Sequence, residues 1–229
     1  VFEETITIEG PDAEIGVLCK RPDGDGPSPV IMMFHDGPGI RDATHAPARA
    51  LADAGFFVVV PDRYNREGRF VSFDLGKLLA EGMESEAAQQ FFGIISGTTD
   101  DMVRADLDAL LAHLKSDPHA RGGAMGCIGY CIGARTVVRT MADHADTFVA
   151  GAGLHPSFCV TPEPDSPHNS VPDLQGHLFM GIGEADHMSS LEENQPLVDA
   201  IGKLGDRGLV ETYPGADHGF AMAGPTYDE

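Results

Sequence analysis

Ala124-Met-Gly-Cys-Ile-Gly-Tyr-Cys-Ile-Gly133 is the stretch that decides the fold. Its first half is a short apolar run of the kind a buried strand uses. Its second half, Gly129-Tyr130-Cys131-Ile132-Gly133, fits G-x-C-x-G, the thiol form of a nucleophile elbow. That spacing has a steric cause. The chain must turn sharply from strand to helix with its nucleophile held in a strained conformation, and the two glycines let helix and strand approach. The predicted helix runs from Cys131 to about Asp143, which sets the thiol at a helix N-terminus, where the dipole favours a thiolate. The Ile132 amide then points at a bound carbonyl oxygen as one oxyanion donor. A cysteine beside glycines is more often simple packing. Here the motif follows a strand pattern and opens a helix, and no G-x-S-x-G competes with it. Cys127 falls within the strand and is expected to be a core thiol.

Working outward, strand and helix patterns alternate. Thr5 to Ile8 and Ala13 to Cys19 flank Gly10-Pro11-Asp12 and predict an antiparallel hairpin. Val30 to Phe34 and Phe56 to Pro61 are continuous apolar runs, as strands covered on both faces require. An alanine-rich helix from Thr44 to Ala54 lies between them. Arg63 to Gly97 has a weak pattern, expected as a helical excursion. Thr98 opens a helix whose stripe is Met102, Val103, Leu107, Leu110, Leu111 and Leu114, with Pro118 just past its end. Three more strands are expected at Thr147 to Leu154, His177 to Ile182 and Leu209 to Tyr213. A helix from about Ser189 to Leu204 joins the last two, and Thr161 to Asp173 is expected as an ordinary loop. Such alternation gives βαβ units and a mostly parallel central sheet flanked by helices on both faces, in a single domain over 1–229. Ligands then bind beyond the carboxyl ends of the strands, where Asp36, Cys131, Asp186 and His218 fall.

The order nucleophile, acid, histidine belongs to the α/β-hydrolase fold. Ala-Asp-His occurs at 142, 185 and 216. Asp143 and His144 end a helix and are expected to face solvent. Asp186 follows one predicted strand and is assigned as the acid; His218 follows another and is assigned as the base. Their neighbours His187 and Asp217 are the residues most easily confused with them. A free thiol is only a few per cent ionised at neutral pH, so His218 is needed to take its proton, and Asp186 to orient and stabilise the ring. His35-Asp36-Gly37-Pro38-Gly39 follows an early strand, and Gly37 is assigned the second oxyanion amide. Asp36 lies near the nucleophile, either pairing with His218 or accepting from the resting thiol. His35 is either a ligand contact or a strand-end histidine satisfied locally.

Fifteen basic against 36 acidic residues leave a formal charge of −21. That field repels nucleic acid and anionic membrane surfaces and disfavours highly anionic substrates. The four cysteines form no C-x-x-C pair and are expected as reduced thiols. Together with a start that shows no basic region followed by an apolar run, they point to a cytoplasmic protein. Neither H-E-x-x-H nor paired-cysteine spacing appears, so no metal and no cofactor is expected. The expected partner is a small ester or lactone, bound by a monomer or small homo-oligomer.

These residues resemble the dienelactone hydrolase family. Gly-Tyr-Cys-Ile-Gly is similar to its Gly-Tyr-Cys-Leu-Gly elbow, Gly183-Glu-Ala-Asp186-His187 to its acid loop, Asp217-His218-Gly-Phe-Ala to its base loop, and Val59-Val-Pro-Asp-Arg-Tyr64 to the Pro-Asp-Leu-Tyr after an early strand. The resemblance implies cleavage of an ester or lactone through a Cys131–His218–Asp186 triad and a thioester. It also puts Asp36 where the family has a glutamate near the thiol. Two family arginines that grip a substrate carboxylate are missing. One place, four residues after the histidine, is Met222, and no arginine lies between Val71 and Val103. The expected substrate is therefore less anionic than a dienelactone, unless Arg63, Arg66 or Arg69 substitutes; these are otherwise expected as surface charges. The alternative is a ligand-binding or thiol redox-sensing protein on the same fold.

Overall fold

The computed structural model describes residues 1–24, 26–82 and 84–227. Among the described residues eight strands, numbered in chain order, lie in the sheet order β1-β2-β4-β3-β5-β6-β7-β8, and the chain divides into two compact units.

The first unit holds 1–30 and 37–122. Strands β1 (Phe2–Glu9) and β2 (Glu14–Arg21) pair antiparallel, from Phe2 opposite Arg21 to Glu9 opposite Glu14. The predicted turn closes with the Gly10 amide donating to the Ala13 carbonyl at 3.1 Å. At the sheet edge β1 is largely exposed, whereas β2 is covered on both sides and pairs antiparallel with β4 (Phe57–Pro61). Val58, Val59 and Val60 are fully buried, as their unbroken apolar run requires. Strand β3 (Ser28–Phe34) begins in this unit. Helix α1 (Asp42–Asp53) turns Thr44, Ala48 and Ala52 inward.

The predicted excursion over 63–97 contains two helices, α2 (Leu75–Glu81) and α3 (Glu86–Gly97), followed by α4 (Asp100–Leu114). Each starts on a side chain that accepts from a first-turn amide: Asp74, Ser85 and Thr99. Leu107, Leu110 and Leu114 of α4 are buried as expected, but so is Asp106. It takes Arg66 in a two-pronged ion pair at 2.7 and 3.0 Å, and Arg66 also reaches Asp12 at 2.9 Å. Arg66 is thus no loose surface charge. Two carboxylates occupy the fork that a substrate anion would need. Arg63 donates to the Thr98 carbonyl at 3.1 Å.

The second unit holds 31–36 and 123–229. Strands β5 (Ala120–Tyr130), β6 (Phe148–Leu154), β7 (His177–Gly183) and β8 (Gly208–Tyr213) pair in parallel, each with the next. Helix α5 (Ile132–Asp143) follows β5 directly and packs on β6. Helix α6 (Gln195–Gly202) is shorter than the expected 189–204. Pro196 has no amide hydrogen and is tolerated only in a first turn. Ahead of it, the Ser190 and Glu193 side chains and the Asn194 amide hold the backbone in tight turns. The expected loop at Thr161 to Asp173 contains a 3-10 turn, Pro167–Asp173, that packs against α5 and α6. Among the described residues no helix is long and apolar enough to cross a membrane.

Candidate active site

Cys131, Asp186 and His218 each stand just beyond the carboxyl end of a strand in the second unit. At the end of β5 the chain turns within one residue. Cys131 takes φ 54° and ψ −117°, a region most residues avoid, and α5 begins at Ile132. The flanking glycines are obligatory. A Cβ on Gly129 would strike the Gly133 backbone, and one on Gly133 would strike the Phe34 carbonyl and lie 2.8 Å from that of His35. The Cys131 carbonyl accepts from the amides of Ala134 at 3.0 Å and Ser157 at 3.2 Å. Those bonds lock the Cys131–Ile132 peptide, so its trans geometry aims the Ile132 N–H the opposite way.

Of the four free cysteines, Cys131 alone is partly exposed. Burial raises the thiols of Cys19, to about 12, and of Cys127. These two are inert core groups, as expected for Cys127.

Asp186 follows β7 and is buried. Its Oδ1 accepts from the amides of Met188 at 3.0 Å and Ser189 at 2.8 Å. Its Oδ2 accepts from His218 Nδ1 at 2.8 Å. A carboxylate only accepts, so Nδ1 carries the hydrogen and Nε2 is left to face the thiol side. There, Nε2 lies 3.5 Å from Ser157 Oγ, which in turn accepts from Cys131 Sγ at 3.4 Å. The ring is wedged edge-on against His155, centroids 5.1 Å apart, and His155 is backed by Phe220 at 5.6 Å.

Burial alone would lower the His218 pKa, but its hydrogen bond to Asp186 and the attraction of Cys131 outweigh that and push it up to about 10. The sign of the linked stability follows. An unfolded histidine loses its proton near 6.5, while the folded one keeps it to about 10. Stability from this group is complete below pH 6.5 and drains away as pH rises through 10. Thermal denaturation between pH 7 and 10 is expected to show a falling midpoint, with a shallower fall in Asp186→Asn.

His187 and Asp217, the two easily confused neighbours, pair with each other. His187 Nδ1 donates to Asp217 Oδ1 at 2.6 Å, and the same oxygen takes the amides of His187 and His218. Burial works to raise the Asp217 carboxyl, but these hydrogen bonds hold it below its usual range. The pair ties the loop after β7 to the loop after β8. His35 is buried, and its Nδ1 donates to the Asp36 carbonyl at 2.7 Å. Asp36 is buried and helps raise the Tyr130 hydroxyl to about 12, behind the larger effect of burial. Met222 is buried. Gly37 falls in the first unit, where its carbonyl accepts from the Tyr64 hydroxyl at 2.7 Å. No group of three potential ligands among the described residues is placed to hold a metal ion.

Ser157 and His155 were not among the residues expected from the sequence. A signal was present: both stand just beyond a predicted strand ending at Leu154, where ligand-facing residues concentrate.

An open, mostly parallel sheet with a strained cysteine elbow and an acid and a histidine on later strand ends defines an α/β-hydrolase fold. Within that class the chain belongs to the dienelactone hydrolase family, whose pattern it matches over residues 15–229. A relative from Pseudomonas putida named carboxymethylenebutenolidase is 23% identical over 225 residues, covering 96% of this chain and 87% of its own. Among solved structures, a dienelactone hydrolase-like promiscuous phosphotriesterase from metagenomic libraries superposes with a TM-score of 0.73 at 20% identity, covering 99% of this chain and 90% of that one. A dienelactone hydrolase from Anabaena variabilis gives 0.66 at 15% identity, covering 95% and 88%. At these identities the structural likeness supports the fold.

Proposed function

We propose that the protein hydrolyses a small ester or lactone through a Cys131 thiolate and a thioester intermediate. The observation that carries this reading is the buried chain Asp186–His218 ending on the side of the only partly exposed thiol, with the imidazole drawn to its charged form by Asp186 and Cys131. His218 takes the thiol proton and Asp186 holds the ring and its charge. The thiolate attacks the carbonyl carbon, and the Ile132 amide receives the oxyanion. The protonated His218 hands its proton to the departing alkoxide. His218 then removes a proton from water, which attacks the thioester, releases the acid and restores the thiol. A thiolate leaves a tetrahedral intermediate more readily than an amine, so enol lactones, aryl esters and thioesters go forward and amides revert.

The substrate is proposed to carry no carboxylate. Met222 is buried and apolar, Arg66 is committed to Asp106 and Asp12, and the formal charge is −21. An unpaired carboxylate would lose its hydration without a bidentate partner in return. A turnover screen of matched lactones and aryl esters, uncharged against carboxylate-bearing, tests this. The expected result is a kcat/KM about tenfold or more higher for the uncharged member of each pair. Equal rates, or preference for the anion, would contradict the assignment of substrate class. The free thiols fit a reducing compartment, and we place the protein in the cytoplasm.

A further inference from the structure

The segment His155-Pro156-Ser157-Phe158 after β6 is built in an unusual way. His155 has φ 39° and Phe158 φ 58°, so two residues within four occupy the left-handed region that favours glycine. The segment is pinned along its length. The His155 amide donates to the Gly181 carbonyl at 2.9 Å, the Ser157 amide donates to the Cys131 carbonyl at 3.2 Å, and Arg135 donates to the Phe158 carbonyl at 2.5 Å. Strain of this kind persists only where the surroundings over-determine it, and it clusters at functional sites. Its effect here is to set one hydroxyl, Ser157 Oγ, 3.4 Å from Cys131 Sγ and 3.5 Å from His218 Nε2. Ser157 is buried, so few waters compete for the hydroxyl.

We infer that Ser157 is a catalytic group, a hydroxyl bridge that carries the thiol proton to His218 and then holds the thiolate. In the uncharged form of the site Cys131 S–H donates to Ser157 Oγ, and Ser157 O–H points at Nε2. On activation the S–H bond breaks as an O–H bond forms, and the original O–H bond breaks as Nε2–H forms. The products are a thiolate, an imidazolium and an unchanged serine, with no proton lost or gained. The same hydroxyl then donates to the sulfur anion while Nε2–H donates to Oγ. A hydrogen bond to a charged partner is stronger than one to a neutral thiol, so the bridge favours the ion pair. On this geometry the ion pair forms before substrate arrives.

The inference rests on Cys131 being the nucleophile, and its test does not need the natural substrate. The pH dependence of alkylation by iodoacetamide, with thiolate absorbance near 240 nm as a second signal, reports the Cys131 thiolate directly once Cys131→Ala is subtracted. In Ser157→Ala the alkylation profile is expected to move up by about one pH unit. Its kcat/KM for an aryl ester is expected to fall about ten- to a hundredfold. Ser157→Thr keeps the hydroxyl and is expected to restore both. If Ser157→Ala does not fold, Ser157→Thr against Ser157→Val makes the comparison, since the two are close in shape and only one has the hydroxyl. An unmoved profile in a folded variant lacking the hydroxyl would overturn the bridge while leaving the nucleophile in place. Turnover that survives in Cys131→Ala would instead overturn the underlying reading.

Discussion

Cys131→Ala is expected to lower kcat/KM for an aryl ester by about 10,000-fold or more, with no loss of fold. The size of the effect follows from covalent catalysis. Without sulfur no thioester forms, and water must attack unaided from a site shaped for a bound nucleophile. Residual rate over solution comes only from substrate binding and the oxyanion amide. The fold should tolerate the change because Cys131 makes its structural bonds through its backbone: its amide donates to the Leu154 carbonyl at 3.0 Å, and its carbonyl takes two amides. Alanine at φ 54° carries the same backbone strain as cysteine, so the elbow is not further penalised. Circular dichroism and steady-state kinetics on the same preparation check both halves. A variant that folds and still turns over at a tenth of the parent rate would contradict the covalent route.

The second large effect is expected at His218. His218→Gln should cost about 1,000- to 10,000-fold in kcat/KM, because the thiol loses its base and the departing alkoxide its acid. Asp186 acts through that ring. Asp186→Asn leaves an amide that can donate to Nδ1, which favours the tautomer with the hydrogen on Nε2 and so blocks acceptance from the thiol side. Residues that work as a unit are not additive. Cys131→Ala combined with His218→Gln is therefore expected to be no slower than Cys131→Ala alone. Multiplying effects in the double variant would mean that the histidine and the thiol act in separate steps.

Much of this was legible in the sequence because it is local. The elbow announces itself through Gly129 and Gly133, and both prove to be places where a Cβ meets backbone. The hairpin, the buried valines of β4 and the start of α5 follow from spacing alone. What escaped was non-local. Asp106 sits among leucines on α4, and Arg66 and Asn65, 40 and 41 positions earlier, explain why a carboxylate is buried there. The pairing of His187 with Asp217 joins two loops 30 positions apart. Ser157 looks like an ordinary loop residue until the backbone strain at His155 and Phe158 turns it onto the thiol. Helix α6 starts later than its apolar spacing predicts, because side-chain bonds from Ser190, Glu193 and Asn194 hold the chain in turns ahead of Pro196.

The central claim is that one sulfur becomes covalently acylated. The most direct measurement is to mix the protein with an aryl ester that deacylates slowly, quench in acid within the first turnover, and map the added mass by peptide mass spectrometry. The account predicts one acyl group, on Cys131, removed by hydroxylamine and absent from Cys131→Ala. An adduct on any other residue, or turnover with no adduct at all, would contradict it.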